Sequence, residues 1–459
     1  MFVTQDWPIQ IPRLPLLADL EGISFEEDNF KWISKIPPEV LKLISEIAIL
    51  DGGCWLVGGA VRELLSNNDV KDWDLATTLL PLELSLHLNS LNQGNLKVIH
   101  TGIKYGTITI IWSGVIIEVT SLRTDSVYSD GRRPENVFFG ISLKDDLERR
   151  DFTINSMAID LSRGLLYDPH NGLDDLKNFK LRAVGNPRRR IAEDGLRLLR
   201  AYRFLERGNS GLLSLDQDLH DALIKEQWMI GKISKERIWM ELQKIFQGKN
   251  AGEIIWLMTK HKMLDQLLDQ KFSEDDIGVM AQSASYLFDE KVTPEYRLAL
   301  LNYDRTSESL EISCKKLLLS NNQRKNALKA HHFLGKPPPY GDRGMLRLWR
   351  HILGNTYETQ LLLELSLSKH LDHERETLSL IDELNELPPL RAGRLPLVNG
   401  IWLMEKTGLG KGEKLGRLKE WLHRLQIERD LVNLDEIWNI LATISWAHGD
   451  YMKWPRIEW

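Results

Sequence analysis

The sequence predicts an α/β domain with a small sheet, followed by a region that is helical to the end of the chain. Short β-rich runs and a helix-like stretch alternate between residues 54 and 120, which is typical of an α/β domain. After Asp174 apolar residues recur at helical spacing, for example at residues 237–246. At 459 residues the chain is long enough for more than one domain.

The first elements are an apolar run at 54–57, the pair Gly58-Gly59, and a helix-like stretch at 60–65. This order predicts a strand, a glycine turn and a helix. Because glycine has no Cβ, the turn lets backbone N–H groups come close to a triphosphate, and Arg62 adds a forked donor for phosphate oxygens. The alternative is an ordinary tight turn between a strand and a helix.

Two carboxylates follow, in Asp72-Trp73-Asp74. On a strand, residues two apart point to the same side, so Asp72 and Asp74 can share divalent cations while Trp73 points into the opposite layer. The alternative is a polar loop with a helix cap. The pattern predicts a strand that presents a pair of metal-binding carboxylates.

A hairpin is predicted from the β-rich runs at 107–112 and 115–120, which meet at Ser113-Gly114. Glu118 lies in the second run, among Ile and Val residues, where burying an acid without a cation nearby is costly. An outward-facing glutamate on a solvated strand is the alternative. We predict that Glu118 is a third carboxylate of the metal site.

Two later segments carry charged side chains at suggestive spacing. Residues 149–155 offer guanidinium, carboxylate and amide groups, or else a charged loop that caps a helix. Asp194 and Arg197 lie three apart, so on one helix they share a face, and Arg200 and Arg203 continue near it. A carboxylate that accepts from an exocyclic amine and a guanidinium that donates to a ring nitrogen select cytosine and adenine together. An ordinary intrahelical ion pair is the alternative.

In this order the motifs resemble the tRNA nucleotidyltransferase and poly(A) polymerase family, in the bacterial and eukaryotic (class II) branch of the DNA polymerase β-like superfamily. The resemblance covers roughly residues 53 to 246. It rests on residues 56–62, 72–77, 118–123, 149–155, Asp168 with Gly172 and Asp175, 193–204 and, more weakly, 234–238.

The resemblance implies nucleotide transfer from CTP and ATP to the 3′ end of tRNA, with release of pyrophosphate and with Mg²⁺ as cofactor. Asp72 and Asp74 would hold the metal ions, and Glu118 would be catalytic with them. The implied nucleotide-binding residues are Gly58, Gly59, Arg62, Arg150, Asp151, Asn155, Asp194, Arg197, Arg200 and Arg203. Three alternatives stay open: an A-adding enzyme that works with a separate CC-adding enzyme, a poly(A) polymerase, and a catalytically silent RNA-binding protein.

The same resemblance implies a mixed sheet in the head and all-α neck, body and tail domains. The expected boundaries are 1–38 for an N-terminal extension, 39–173 for the head, 174–250 for the neck, 251–338 for the body and 339–459 for the tail. Pro337-Pro338-Pro339 is the clearest break between body and tail. A polar loop is expected at 124–135; in the family, a flexible loop at this place is associated with adding the terminal A.

The balance of 59 Lys and Arg against 65 Asp and Glu gives a net charge of −6, so any nucleic-acid surface must be local. An arginine-rich stretch between residues 182 and 207 is suited to phosphate contacts. We expect tRNA contacts from Arg188 and Arg189 there, and from Lys411, Lys414, Arg417 and Lys419 in the tail.

Other classes of protein are disfavoured by composition. Cys54 and Cys314 are too few for a disulfide framework or a zinc site. No apolar run reaches about 18 residues, so no membrane span is expected. The N-terminus lacks the basic start and apolar core of a signal peptide, which predicts a cytoplasmic protein.

Overall fold

The computed structural model describes residues 7–25, 27–103, 106–125, 137–140, 142–273, 277–282 and 286–459. The chain forms two compact units, residues 1–241 and 242–459. Most of the predicted loop at 124–135 lies outside the described residues. In the part that is described, no helix combines the length and the apolar character needed to cross a membrane.

The first unit is built on a mixed sheet. Its eight strands lie in the order β1-β10-β9-β2-β3-β6-β5-β4; β3 and β6 run parallel and the other neighbours run antiparallel. Two two-stranded sheets, β7-β8 and β11-β12, accompany it in the described residues. The strands of the three sheets are β1 (Ile23–Ser24), β2 (Cys54–Val57), β3 (Trp73–Thr77), β4 (Leu96–Gly102), β5 (Thr107–Trp112), β6 (Val115–Ser121), β7 (Arg123–Asp125), β8 (Val137–Phe139), β9 (Ala158–Asp160), β10 (Leu165–Tyr167), β11 (Lys180–Leu181) and β12 (Ser214–Leu215).

Helices flank this sheet and then dominate the rest of the unit, which confirms the predicted α/β head. They are α1 (Pro38–Ile49), α2 (Gly58–Leu65), α3 (Pro81–Ser90), α4 (Leu143–Glu148), α5 (Gly172–Lys177), α6 (Pro187–Glu193), α7 (Arg197–Phe204), α8 (Gln217–Lys225) and α9 (Lys235–Phe246).

The local predictions in the head hold. The order β2, glycine turn, α2, loop, β3 is as expected, and all four residues of β2 are buried. Strands β5 and β6 form the predicted hairpin. Its turn residues Ser113 and Gly114 both have positive φ, 49° and 88°, which is the backbone of a two-residue turn that matches strand twist.

The N-terminal segment, for which the sequence indicated no role, packs on the head. Strand β1 pairs with β10 at the edge of the sheet. Trp7 donates its indole N–H to the carbonyl of Leu161 at 2.7 Å, and Leu14 is buried. The described part of this segment therefore completes the sheet and its core.

All regular secondary structure in the described part of the second unit is helical, as predicted. Its helices are α10 (Ala251–Lys260), α11 (Met263–Leu268), α12 (Gly278–Gln282), α13 (Pro294–Leu301), α14 (Ser307–Lys316), α15 (Asn321–Phe333), α16 (Arg343–Leu353), α17 (Tyr357–His370), α18 (Glu374–Glu386), α19 (Gly400–Thr407), α20 (Glu413–Arg429) and α21 (Leu434–Leu441).

The triple-proline segment forms the loop between α15 and α16. Phe333 before the loop shares a buried cluster with Leu346 and Trp349 after it. The expected boundary at residue 338 therefore lies within one compact unit, and the division into body and tail stays a prediction.

One buried acid makes the second unit sensitive to pH. Glu364 on α17 is 3% exposed and accepts hydrogen bonds from Gln360 Nε2 at 3.0 Å and from the backbone N–H of Gly335 at 3.2 Å. Burial raises the pKa of Glu364 from 4.5 to about 7. The folded state thus keeps a proton that the unfolded chain loses, so stability falls as pH rises from about 4.5 to 7 and is level above.

Glu364→Gln is therefore expected to raise the free energy of unfolding by about 1–3 kcal/mol at pH 8 and to change it little at pH 4. Urea titrations of the full chain at both pH values measure this. Glu376→Gln, at an exposed position, is the control. An equal change at the two pH values would show that Glu364 does not titrate in this way.

Candidate active site

The glycine turn between β2 and α2 is held against two charged groups. Gly58 has φ +67°, and a Cβ built on it would lie 2.9 Å from Arg150 Nη1 and 3.4 Å from Asp74 Oδ2. A side chain at this position would be strained and would crowd both groups. The backbone therefore passes directly beside a carboxylate and a guanidinium.

The predicted carboxylates come from neighbouring parallel strands. Asp74 on β3 lies opposite Glu118 on β6 in the strand register, and Asp72 directly precedes β3. Trp73 is buried, which confirms that it points away from the two aspartates. The register places Asp74 and Glu118 on one face of the sheet.

The burial argument for Glu118 as a metal-site carboxylate is wrong. The structure exposes Glu118, while Ile117 and Val119 on either side of it are buried. Because side chains alternate along a strand, Glu118 points to the face opposite to that of its two apolar neighbours. Its carboxylate therefore has no burial cost. The register pairing with Asp74, rather than burial, is what relates Glu118 to the other acids.

The three acids interact electrostatically. Burial raises the pKa of Asp74 to about 6, and the charges of Glu118 and Asp72 raise it too, against the guanidiniums of Arg150 and Arg62. Within the described ranges, no group of three or more His, Cys, Asp or Glu side chains is close enough to form a complete metal cage. Hard oxygen donors in an incomplete set fit a cation such as Mg²⁺ or Mn²⁺ that substrate phosphates help to bind.

Asp151 is a buried anion that joins two segments of the site. It accepts hydrogen bonds from the backbone N–H of Phe152 at 2.9 Å and from Asn155 Nδ2 at 3.1 Å. Arg200 Nε, from α7, donates to the other oxygen at 2.7 Å. Burial acts to raise the pKa of Asp151, but Arg200 and Asn155 hold it at about 2. The carboxylate is ionised and fixes Arg200.

Arg150 is anchored by a second buried acid. Asp146 is 1% exposed and pairs with Arg149 at 2.6 Å and with Arg150 at 2.9 Å. Arg150 also donates Nη1 to the carbonyl of Asn155 at 3.4 Å. Its guanidinium therefore stays beside the glycine turn.

Three arginines surround the ring of Phe204. The guanidinium carbons of Arg62, Arg200 and Arg203 lie 5.0, 5.0 and 4.2 Å from the ring centroid. Arg62 also donates to the side-chain oxygen of Asn155. Contacts of this kind favour cations on the ring face and hold the guanidiniums together. The structure thus gathers the predicted residues of β3, α2, 149–155 and α7.

The predicted geometry of Asp194 and Arg197 is wrong. Helix α6 ends at Glu193, Asp194 has extended backbone (φ −149°, ψ 107°), and α7 begins at Arg197. The two residues therefore do not share a helix face. The extended backbone of Asp194 interrupts the helix, and Gly195 lies so close to the carbonyl of Met229 that a Cβ built on it would be 3.0 Å from that oxygen.

Each of the two residues has its own partner. Asp194 accepts from Arg237 Nη2 at 2.7 Å and from the backbone N–H of Leu196 at 3.0 Å. Arg197 pairs with Glu193 at 2.9 Å. These contacts fix both side chains beside the break between α6 and α7.

Sequence reasoning missed several residues that support the site: Asp146, Phe204, Arg237 and Glu241. Glu241 is buried and pairs with Arg203 at 3.1 Å. Arg237 lies in the weak motif at 234–238, which was the one available signal for it. Phe204 ends the motif at 193–204, whereas Asp146 and Glu241 carry no local pattern that distinguishes them from core residues or surface ion pairs.

The motif at Asp168, Gly172 and Asp175 proves to be a scaffold. Asp168 accepts from the backbone N–H groups of Gly172 and Leu173 at 2.7 and 2.9 Å. Asp175 accepts from Thr153 Oγ1 at 2.7 Å. The motif therefore positions the turn at 153–155 that carries Asn155.

The predicted tRNA contacts are only partly available. Arg188 and Arg189 are 53% and 84% exposed at their side chains. Lys411 is exposed, and Lys414 is half-buried near the carbonyl of Ala447. Arg417 is 7% exposed and pairs with Glu420, so the expectation that it meets tRNA is wrong.

Most arginines of the stretch between residues 182 and 207 form ion pairs with acids of the first unit. Its members have carboxylate partners within the unit: Arg182 with Asp175, Arg190 and Arg197 with Glu193, Arg200 with Asp151, Arg203 with Glu241, and Arg207 with Glu63. Because carboxylates of the same unit neutralise these arginines, they organise the site rather than present free positive charge.

Two family models match the chain. The Poly A polymerase head domain matches residues 54–182, and the "Probable RNA and SrmB- binding site of polymerase A" matches residues 213–272. A curated CCA-adding enzyme from Geobacillus sp. (strain WCH70) is 30% identical over 382 residues, 83% of this chain and 90% of the relative. Another, from Oceanobacillus iheyensis, is 39% identical over 223 residues, 49% of this chain and 53% of the relative.

Solved structures share the fold. The CCA-adding enzyme of Bacillus stearothermophilus in complex with CTP has a TM-score of 0.71 and 23% identity, covering 91% of this chain and 99% of that one. The CCA-adding enzyme of Thermotoga maritima complexed with tRNA has a TM-score of 0.62 and 20% identity, and the match covers 92% of this chain and 99% of that one.

Proposed function

This chain belongs to the class II tRNA nucleotidyltransferase family, and we propose that it adds the 3′-terminal CCA to tRNA from CTP and ATP, releasing pyrophosphate. The observation that carries the proposal is the 30% identity to a CCA-adding enzyme along 90% of that relative's length. The site agrees with it, because Asp74 lies beside a glycine turn flanked by guanidiniums and interacts electrostatically with Asp72 and Glu118.

Family membership implies a divalent metal requirement, and we propose Mg²⁺. Asp72 and Asp74 would hold the metal, with Glu118 beside them. When two such ions are bound, they lower the pKa of an attacking hydroxyl and neutralise the leaving pyrophosphate. Oxygen donors with an open coordination shell suit Mg²⁺, which usually keeps water and substrate phosphates as further ligands.

The triphosphate would lie along the glycine turn. Backbone N–H groups at Gly58 and Gly59 can approach phosphate oxygens because no Cβ intervenes. Arg62 and Arg150 supply forked donors on either side. Arg200 and Arg203, fixed by Asp151 and Glu241, would orient the nucleotide from α7.

Base selection is proposed for Asp194 and Arg197. Their side chains are 22% and 12% exposed, so both can be reached at the break between α6 and α7. Arg237 donates to Oδ2 of Asp194 and so fixes the orientation of the carboxylate. Acceptor and donor together fit the Watson–Crick edges of cytosine and adenine and reject uracil and guanine.

The test is to supply a tRNA transcript that lacks CCA, together with Mg²⁺ and one nucleoside triphosphate at a time, and to resolve products at single-nucleotide length. We expect CTP to extend the transcript by two residues, and UTP and GTP to be rejected. No extension by any nucleotide, with the RNA still bound, would favour the catalytically silent RNA-binding protein instead.

Asp194→Ala is expected to weaken base selection. A site built on hydrogen bonds discriminates strongly, so loss of the acceptor should lower kcat/KM for CTP by about 10²-fold and narrow the preference for CTP over UTP by about 10-fold or more. Single-turnover rates with the two nucleotides measure this. Asp174→Ala, an exposed acid in the same unit, is the control; an unchanged CTP/UTP ratio in Asp194→Ala would remove Asp194 from the proposal.

A further inference from the structure

Three arginines converge on one cleft in the second unit. The cleft has a volume of about 310 Å³. Arg347 and Arg350 reach it from α16, and Arg394 reaches it from the loop that follows α18; His351 and Tyr357 also line it. We call this group the arginine cleft.

The guanidiniums of the arginine cleft have neutral partners. Arg350 donates to the carbonyls of Leu387 and Pro388 at 2.7 and 2.6 Å, and Arg347 donates to the carbonyl of Glu428 at 3.1 Å. Among the described residues, no carboxylate lies within 4.0 Å of a guanidinium nitrogen of the three arginines. The positive charge of the cleft is therefore not neutralised by a neighbouring acid.

A neighbouring arginine shows the contrast. Arg391 precedes Arg394 by three residues in the same loop, but it pairs with Asp430 at 2.9 Å. Arg391 is thus neutralised by a carboxylate. Hydrogen bonds to backbone carbonyls hold Arg347 and Arg350 in place without neutralising their charge.

The cleft is also lined by residues with two nitrogens whose hydrogen-bonding capacity is not used. Arg347 Nε and His351 Nδ1 are buried and have no hydrogen-bond partner in the described part of the chain. Burial lowers the pKa of Arg350, and the charges of Arg347 and Arg394 lower it further despite an opposing effect of Tyr357. Like charges held together beside unused groups are costly unless an anion joins them.

We propose that the arginine cleft binds a phosphate group, and that this group belongs to the RNA backbone of the tRNA. Forked guanidiniums match phosphate oxygens in pairs, and three of them suit an anion with several acceptors. A chain with net charge −6 attracts a polyanion only through local sites of this kind. Only the identification of the phosphate as part of an RNA rests on the proposed function. The inference that the cleft binds a phosphate group is independent of that function.

The apolar wall of the cleft agrees with a nucleotide segment more than with a bare ion. Pro389 and Leu390 line one part of it, beside the ring of Tyr357. Such surfaces can pack against a ribose while the arginines hold the phosphate. None of the residues predicted from sequence to contact tRNA lies in this cleft.

The test measures the affinity of the full chain for a tRNA transcript that lacks CCA, by fluorescence anisotropy without nucleotide, over a range of salt concentrations. Arg394→Gln is expected to weaken binding by about 5- to 20-fold and to reduce the salt-dependence slope by about one, the value for one lost phosphate contact. Arg343→Gln, at an exposed position on α16, is the matched control and should change affinity less than about 2-fold.

The double variant Arg347→Gln/Arg394→Gln should bind tRNA more weakly than Arg394→Gln. Arg394→Lys should bind more tightly than Arg394→Gln but more weakly than the wild type, because lysine keeps the charge without the forked donors. At saturating tRNA the addition rate of Arg394→Gln should match the wild type, so that KM for tRNA rises and kcat is unchanged. Thermal unfolding of each variant checks that the second unit is intact.

Wild-type affinity and slope in a folded Arg394→Gln would overturn the proposal. So would a variant that loses binding of inorganic phosphate, measured by calorimetry, while its tRNA affinity is unchanged, since the occupant would then be a free anion. A wild-type protein that binds tRNA through the cleft but adds no nucleotide would refute the proposed function and leave this inference standing.

Discussion

Asp74→Asn is expected to reduce nucleotide addition by about 10³-fold or more, because a neutral amide cannot replace a carboxylate that holds a divalent cation. Asp74 lies opposite Glu118 in the sheet and beside the glycine turn, so its loss removes the centre of the carboxylate group. Single-turnover extension of a CC-ended tRNA transcript with ATP measures the effect.

The same variant is expected to remain folded. The pKa of Asp74 is raised from 3.8 to about 6, so above pH 6 the folded state carries an ionised group at a cost that the unfolded chain does not have. Asparagine removes that cost, and the free energy of unfolding at pH 8 should rise by about 1–3 kcal/mol.

Asp69→Asn is the matched control, because Asp69 is 97% exposed and lies close to the site in sequence. It should keep wild-type activity and stability. If Asp74→Asn retained more than about a tenth of wild-type activity, Asp74 could not be a metal ligand of the reaction.

Gly172→Ala is expected to lower the free energy of unfolding of the first unit by about 3–5 kcal/mol. A Cβ on Gly172 would lie 2.2 Å from the carbonyl oxygen and 2.8 Å from the carbonyl carbon of Thr153. Backbone cannot yield as a side chain can, so the turn at 153–155 must move. That turn carries Asn155, which binds both Asp151 and Arg62.

Urea titration of the full chain, followed by extension assays on the folded fraction, measures both consequences. Gly231→Ala is the control, because no atom lies within 4 Å of a Cβ built there; it should change stability by less than about 0.5 kcal/mol. Equal stabilities of the two variants would contradict the scaffold role of the motif at 168–175.

The elements of the head could be predicted because their signals are local. The apolar run at 54–57, the glycine pair and the Ser113-Gly114 turn each determine a conformation from neighbouring residues alone. The paired spacing of Asp72 and Asp74 likewise fixes which side of the strand they share.

The pairing of charges could not be predicted, because it depends on residues far apart in sequence. Asp151 binds Arg200, 49 residues away, and Asp194 binds Arg237, 43 residues away. A spacing of three predicted that Asp194 and Arg197 share a helix face, but α6 ends at Glu193 and α7 begins only at Arg197. The exposure of Glu118 was missed for a related reason, since residue composition does not say which face of a strand is covered.

The measurement that tests CCA addition most directly uses tRNA transcripts that end before CCA, after one C and after CC, each with Mg²⁺, CTP and ATP, and sequences the products. We predict that all three become CCA-ended and then stop growing. Extension of the CC-ended transcript alone, by one A, would make the protein an A-adding enzyme that needs a separate CC-adding partner. An unlimited run of A residues would make it a poly(A) polymerase, and either result would contradict CCA addition.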